Sequence, residues 1–206
     1  MIKNNASPAK KWEYSGGHSP LVSFFSMVHP LSSGAIEAID QETYPLTVQK
    51  GKYLLKPGST GDSLFLILKG VVRAYIVEDG KEITTWINEE HEIVGSIRNF
   101  GLSIPSDEYL QALETTDLIV IPYKMVEYFY ETFPEANLIG RKLLEENYRG
   151  AEERAYISRV PSAEKKYKRF IETRPGLVNR VALKYVASYL GMTLETLSRI
   201  RNKRSL

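Results

Sequence analysis

Two spacings of hydrophobic residues divide this chain near Pro122. Between residues 44 and 121, short apolar runs alternate with turn residues, as in SLFLILKGVVRAYIVEDGKEITTWI. The Asp79-Gly80 pair between two such runs is a strong hairpin signal, because this turn needs residues that tolerate positive φ. The region therefore predicts an antiparallel sandwich or barrel. Before it, LVSFFSMV and SSGAIEAIDQ predict two short helices, the second capped by Ser33.

After Pro122 the hydrophobic spacing becomes helical. YKMVEYFYETF predicts a helix that ends at Pro134, and Pro134 suits the first position of the next helix. That long helix, EANLIGRKLLEENYRGAEERAYI, has a narrow apolar seam formed by Leu144, Tyr148, Ala151 and Ala155. So thin a seam favours pairing with a second copy of the chain, while packing against its own β-domain remains the alternative.

Three short helices are predicted after Pro161. The first, SAEKKYKRFIETRPGL, has an apolar face formed by Ala163, Tyr167, Phe170 and Ile171. The next two, ALKYVASYLG and TLETLSRIRNKRSL, have the features of a helix-turn-helix. Ala187 allows close helix approach, Gly191 tolerates positive φ in the turn, and Thr193 suits the second helix as N-cap. The expected core consists of Val186, Leu190, Met192, Leu197 and Ile200. A generic helical hairpin is the alternative.

Composition removes several kinds of site from consideration. The 206 residues include no cysteine, which excludes disulfides, thiolate metal sites and a cysteine nucleophile. The three histidines lie in separate segments, so we expect no histidine metal cluster. No apolar run approaches about 18 residues, and the N-terminus lacks the apolar core of a signal peptide. We therefore expect a cytoplasmic protein with no membrane partner and a flexible tail over residues 1–19.

Charge is distributed unevenly along the chain. Residues 161–206 contain eleven lysines and arginines against three glutamates, a net charge of +8. The remaining residues contain 16 basic against 22 acidic side chains, a net charge of −6. This asymmetry indicates a nucleic-acid or membrane-surface partner for the basic segment, with a solvated basic face as the alternative.

The last helix carries the side chains best suited to double-stranded DNA. Its first turns would present Thr193, Leu194, Glu195, Thr196, Ser198 and Arg199. Arg199 can donate two hydrogen bonds to guanine, and Glu195 can accept one from cytosine. Glu195 could also orient Arg199 through an i,i+4 salt bridge. Phosphate contacts are expected from Arg180, Lys184, Arg201, Lys203 and Arg204.

The β-segment KGKYLLKPGSTGDSLFLILKGVVRAYIVEDGKEI, the long helix and TLETLSRI together resemble the Crp/Fnr family of bacterial transcription regulators over residues 20–206. The resemblance implies an α+β fold. Its parts are an N-terminal antiparallel β-roll of the cyclic-nucleotide-binding, jelly-roll type, a long dimerisation helix and a C-terminal helix-turn-helix domain lacking a full wing. The implied boundaries are an effector domain at 20–133, a dimerisation helix and hinge at 134–159, and a DNA-binding domain at 160–206. A homodimer on palindromic DNA is implied, with RNA polymerase as a further partner to consider.

The phosphate-binding cassette departs from the family pattern. Gly95 is present, but Ser96 stands where cyclic-nucleotide-binding members have glutamate, and no arginine stands near Ser106. A phosphate beside Asp107 and Glu108 would be repelled, so cyclic AMP is not the expected effector. The altered pocket is assigned to Gly95, Ser96, Ile97, Arg98, Ser106 and Asp107, with an unknown small molecule as effector. The lack of cysteine excludes an iron–sulfur cluster, and the scattered histidines argue against haem.

Three functions compete at this point. The favoured one is a homodimeric DNA-binding regulator that reads a palindromic operator, with an altered effector pocket. Because Leu194 stands where the family usually has arginine, that operator should differ from those of well-known members. The alternative is a small-molecule sensor or signalling module whose basic segment meets a protein partner. An enzyme is not expected. The β-segment offers only His91 with Glu89, Glu90 and Glu92, and at adjacent positions these side chains point apart and make a poor metal site.

Overall fold

The computed structural model describes residues 11–204, with the side chain of Arg204 left out of the description. The strands are β1 (Tyr44–Val48), β2 (Tyr53–Leu55), β3 (Ser63–Lys69), β4 (Val72–Glu78), β5 (Lys81–Asn88), β6 (Ile93–Val94), β7 (Tyr109–Ala112) and β8 (Thr116–Pro122). The helices are α1 (Pro20–Val28), α2 (Ser33–Glu42), α3 (Tyr123–Thr132), α4 (Pro134–Arg159), α5 (Ala163–Thr173), α6 (Leu183–Tyr189) and α7 (Leu194–Arg204). Short 3₁₀ helices occur at Glu13–Ser15 and Pro175–Leu177.

The eight strands form two four-stranded antiparallel sheets that face each other. Their orders are β1-β8-β3-β6 and β2-β7-β4-β5, so β5 lies at the edge of the second sheet. Alternation along β3 puts Phe65 and Ile67 between the sheets and Leu66 under the helices. The predicted hairpin joins β4 to β5, with Asp79 and Gly80 at φ of 50° and 74°. The β-roll predicted from the sequence is confirmed.

Helix α4 begins at Pro134, as predicted, and runs for 26 residues. Its first turns are buried against the roll through Ala136, Ile139 and Gly140. A Cβ on Gly140 would overlap the Tyr130 side chain, so this position needs glycine for close approach rather than for backbone freedom. Beyond these turns the helix leaves the roll, and its central part is largely exposed.

The N-terminal segment differs from the predicted tail of residues 1–19. Residues 11–19 are folded: the Trp12 side chain is fully buried, and its Nε1 donates to the Asp40 carbonyl at 2.9 Å. The Ser19 backbone N–H donates to the Asp40 carboxylate at 2.7 Å. The tail prediction was therefore wrong for residues 11–19, because Trp12 supplies an apolar anchor. Residues 1–10 lie outside the described part of the chain.

The cap of α2 also shifts by one position. Ser32, and not Ser33, accepts from the Ala35 backbone N–H, at 3.3 Å. Both serines are adjacent and chemically equal, so only the backbone conformation distinguishes them. Ser32 is extended at φ −69° and ψ 158°, which is the usual conformation of an N-cap residue.

The C-terminal helices share a hydrophobic core with the roll. Tyr167 and Phe170 of α5 are buried with Val186 and Leu197 of the next two helices. Val71 and Ile87 of the roll belong to the same cluster. The C-terminal domain is therefore docked on its own roll. Within residues 11–204, no helix is both long and apolar enough to span a bilayer.

Candidate nucleic-acid interface

The turn between α6 and α7 has the geometry that the sequence predicts. Gly191 has φ of 62°, and an added Cβ would meet only Lys166 Nζ at 3.7 Å, so backbone conformation rather than space requires glycine here. The Met192 N–H donates to the Ala187 carbonyl at 3.0 Å, which closes the end of α6. Lys166 Nζ donates to the Leu190 carbonyl at 3.0 Å and satisfies another free acceptor.

The predicted helix-turn-helix core is present. Val186, Ala187, Leu190, Leu197 and Ile200 are buried, and Met192 is half-buried beside them. The Thr193 hydroxyl accepts from the Thr196 N–H at 3.2 Å, so Thr193 is the N-cap of α7 as predicted. The spacing of small, positive-φ and apolar residues was sufficient to predict this unit.

The first turn of α7 presents its polar side chains to solvent. Thr193, Leu194, Glu195 and Arg199 are exposed, whereas Thr196 and Ser198 are half-buried. No ion pair joins Glu195 to Arg199 among the described side chains. A hydrogen bond from its own backbone N–H, followed by the Thr193 hydroxyl, lowers the pKa of Glu195. Glu195 therefore interacts with the N-terminus of its own helix and does not form an ion pair with the guanidinium of Arg199.

The residues predicted to contact phosphates fall into two groups. Lys184 and Lys203 are exposed, the latter 3.9 Å from Glu164, and Arg201 is half-buried. The side chain of Arg204 lies outside the described residues. Arg180 is different, because the roll already holds it. The prediction that Arg180 faces a phosphate is wrong for this docked arrangement.

Arg180 is bound by three glutamates of the roll. Its Nη1 donates to Glu89 at 3.3 Å and to Glu90 at 2.8 Å, and its Nη2 donates to Glu90 at 2.7 Å and Glu114 at 2.5 Å. These hydrogen bonds hold the pKa of Glu90 at about 2, well below its usual value. Glu90 also accepts from the Gly70 N–H at 2.8 Å, which anchors it to the roll.

A second arginine joins the same surfaces. Arg174 Nη1 donates to Glu92 Oε1 at 2.7 Å, in a pair whose side chains are each about one-quarter exposed. Glu92 lies in the β5–β6 loop, and Arg174 follows α5. Together, Arg180 and Arg174 hold four glutamates of the roll against the basic domain. We call this set, Glu89, Glu90, Glu92 and Glu114 with Arg174 and Arg180, the carboxylate clasp.

A buried arginine of the roll completes the docking surface. The Arg73 side chain is 1% exposed; its Nε donates to Thr84 at 2.8 Å and its Nη1 to Glu82 at 2.7 Å. Its guanidinium lies between the rings of Tyr75 and Tyr185, 4.3 and 4.0 Å from their centroids. Cation–π contact compensates part of the desolvation of a buried guanidinium. Burial is the main cause that raises the pKa of Tyr75, followed by its hydrogen bond with Tyr53.

Helix α6 also covers the open edge of β5. The Ser188 hydroxyl accepts from the Thr84 N–H at 2.9 Å and donates to the Glu82 carbonyl at 3.0 Å. These backbone groups point away from the sheet because β5 is an edge strand. One serine therefore satisfies a donor and an acceptor that would otherwise face solvent.

The predicted effector pocket is occupied by its own polar network. The buried Ser96 hydroxyl donates to Glu108 at 2.7 Å and lies 3.0 Å from the Ser106 hydroxyl. Leu64 fills the space beside Gly95 that a Cβ would need. Ile97 is exposed, and Arg98 forms an exposed 3.2 Å ion pair with Asp107. A phosphate placed at Ser96 would meet the buried Glu108 carboxylate, and the two negative charges would repel each other.

The predicted dimer seam is solvent-facing in the single chain. Leu144 and Tyr148 are 64% and 65% exposed, and Ala151 and Ala155 are also exposed. Packing of this seam against its own β-domain, the alternative considered from the sequence, is therefore not observed. The described residues contain no group of three or more histidine, aspartate or glutamate side chains that could hold a metal ion.

Sequence reasoning missed the docking residues. Glu89, Glu90 and Glu92 were considered only as a poor metal site, and Arg73 was not considered at all. The arginine inside the apolar run GVVRAYIV was the available signal, because a charged residue on a strand implies a specific partner. One partner, Tyr75, lies two residues away on the same face of β4, but Tyr185 is distant in the sequence and could not be paired with Arg73 from it.

Comparison with known proteins gives a consistent result. The cyclic nucleotide-binding domain family matches residues 45–133. The fumarate and nitrate reduction regulatory protein of Vibrio cholerae is 28% identical over 94% of this chain and 84% of its own length. Electron transport regulator A of Shewanella oneidensis is 27% identical over 74% of this chain, which spans 65% of that protein.

Solved structures show the same fold at low identity. A transcriptional regulator of the Crp/Fnr family from Eubacterium rectale superposes with a TM-score of 0.68 and 17% identity, covering 88% of this chain and 87% of that one. The c-di-GMP responsive global regulator of Xanthomonas campestris gives a TM-score of 0.61 and 18% identity, covering 84% and 92% of the two chains. Coverage of 84% and 88% of this chain is more than the roll alone could supply.

Proposed function

We propose that this chain, whose relatives and structural neighbours include Crp/Fnr-family transcription regulators, is a homodimeric DNA-binding regulator that reads a palindromic operator through α7. Its homologues are regulators and not enzymes. The observation that carries the proposal is the exposure of polar side chains in the first two turns of α7. There Glu195 and Arg199 face solvent, unpaired with each other, on a helix whose N-cap and core are in place.

The chemistry of these two side chains suits base recognition. A guanidinium can donate two parallel hydrogen bonds to the O6 and N7 atoms of guanine, and a carboxylate can accept from the N4 amine of cytosine. Lys184 and Lys203 supply exposed cations for phosphates on either side. Two copies joined along the exposed α4 seam would place two α7 helices in successive major grooves, about 34 Å apart.

The charge of the pocket around Ser96 limits the kind of effector that it can bind. Because Ser96, Ser106 and Glu108 hydrogen-bond to one another, an anionic effector would have to displace a buried carboxylate. We therefore propose an altered effector pocket that does not take cyclic AMP. An uncharged or cationic small molecule fits this charge better.

Selection from a random pool of DNA, with full-length protein and no added ligand, tests the function. We expect enrichment of a two-fold symmetric site with half-sites one helical turn apart. Arg199→Ala should weaken binding to that site by about 1–3 kcal/mol and relax preference at one base pair per half-site. Lys203→Ala is the matched control, because loss of a phosphate contact weakens all sequences alike. Equal, sequence-independent losses in both variants would contradict base reading by Arg199.

A further inference from the structure

The carboxylate clasp holds two cations of the basic domain, and one of them, Arg180, is a phosphate contact predicted from the sequence. Carboxylate and phosphate oxygens both accept paired hydrogen bonds from a guanidinium, so the two kinds of anion can occupy the same arginine only in turn. In the docked arrangement both terminal nitrogens of Arg180 already donate to Glu89, Glu90 and Glu114. Its side chain is only 30% exposed there. Arg180 therefore cannot meet a phosphate until it leaves the clasp.

The clasp leaves the reading surface itself uncovered. Leu194, Glu195 and Arg199 remain exposed while the domain is docked. Any effect of docking on DNA binding must therefore be electrostatic and orientational, not steric occlusion of α7. Four roll carboxylates beside the basic domain would also repel a nearby phosphate backbone.

We propose that the carboxylate clasp competes with DNA for Arg174 and Arg180, so that the docked arrangement is a low-affinity state of the protein. The inference rests on the DNA-binding function proposed above. Release of the clasp exchanges carboxylates for phosphates at the same guanidinium groups. The roll thereby opposes DNA binding through four glutamates outside the phosphate-binding cassette, whether or not that cassette holds an effector.

The test removes the negative charges that hold Arg180 and keeps the size of the side chains, while the Arg174–Glu92 pair is left in place. The full-length triple variant Glu89→Gln, Glu90→Gln, Glu114→Gln removes the three carboxylates that hold Arg180. The control variant Glu37→Gln, Glu42→Gln, Glu131→Gln removes the same number of charges from exposed carboxylates of α2 and α3, outside both the clasp and the basic domain. Both variants change the net charge equally, so their difference isolates the clasp.

Docking and DNA binding are measured separately. The Thr84 amide donates to Ser188 across the docking surface, so its hydrogen exchange reports docking. Ile119, on the central strand β8, serves as the internal reference for global unfolding. DNA affinity is measured by fluorescence anisotropy on a fixed duplex, selected as above, at salt concentrations from 50 to 200 mM.

We expect the clasp variant to exchange at Thr84 at least about tenfold faster, with Ile119 unchanged. Its DNA affinity should rise at least about threefold over the control variant, and its salt slope should steepen by about 0.9 for each arginine gained by phosphate. Unchanged Thr84 exchange would show that the glutamates do not hold the domain. Faster exchange with equal or weaker DNA binding would show that the docked arrangement is not inhibitory. Either result overturns the inference and leaves the proposed function standing.

A second variant makes the test independent of net charge. In the wild-type background Arg180→Gln both opens the clasp and removes a cation from DNA, so its two effects on DNA affinity oppose each other. In the clasp variant only the loss of the cation remains, and the salt slope should fall by about 0.9. Equal effects in both backgrounds would contradict the competition. Absence of DNA binding by every protein, including wild type, would instead refute the proposed function together with this inference.

Discussion

At the scale of single residues, Gly191 and Gly150 differ in whether the backbone conformation requires glycine. Gly191 lies at φ of 62° in the turn before α7, with open space around it. Gly150 lies within α4, where an added Cβ would contact only Arg154 at 3.4 Å. The first position needs glycine for its backbone, and the second does not.

Alanine substitution at the two glycines should therefore have opposite effects. Gly191→Ala should lower the free energy of unfolding by about 1 kcal/mol, because alanine is strained at positive φ. Gly150→Ala should raise it by up to about 1 kcal/mol, since alanine favours the helix. Chemical denaturation of both variants measures this. Stabilisation by Gly191→Ala would contradict the turn geometry.

Glu90 gives the docking surface a defined pH dependence. Arg180 lowers the folded-state pKa of Glu90 to about 2, so its charge stabilises the fold at every pH above the ordinary glutamate value. That contribution is full above about pH 5 and is lost as pH falls from there towards 2. The stability difference between wild type and Glu90→Gln should therefore be constant from pH 8 to 5 and shrink below. A difference that grows on acidification would contradict the assigned contact.

At the scale of elements, α4 has two different environments along its length. Its first turns are buried against the roll, and its central face is exposed with an apolar seam. The sequence predicted both its start at Pro134 and this seam, because helical spacing and proline position are local signals. It could not predict how much of the helix the roll would cover.

Charge on the seam should disrupt the proposed dimer. Leu144→Asp with Tyr148→Asp places two carboxylates where the helices would meet, so we expect a monomer by analytical ultracentrifugation. Arg149→Asp is the control, since residue 149 lies about 140° around the helix from residue 144. The control should remain dimeric. A dimer that survives the seam variant would place the interface elsewhere.

At the scale of the whole molecule, the architecture was predictable and the docking was not. Asp79-Gly80, Pro134 and Gly191 each mark a boundary by local backbone preference, so the order of roll, long helix and helix-turn-helix followed from the sequence. The clasp depends on pairs such as Arg180 with Glu90, separated by 90 residues. Local patterns contain no information on such pairs. For the same reason, the sequence predicts that Arg180 contacts a DNA phosphate and does not predict its contact with Glu90.

The serine that covers β5 has a consequence beyond DNA binding. Once Ser188 leaves, the Thr84 N–H and Glu82 carbonyl belong to an open sheet edge. Such edges pair readily with strands of other chains and are common starting points of aggregation. A protein that spends long periods undocked would therefore be more prone to aggregate through this edge. The docked arrangement then protects solubility as well as restraining activity, and selection for one would preserve the other.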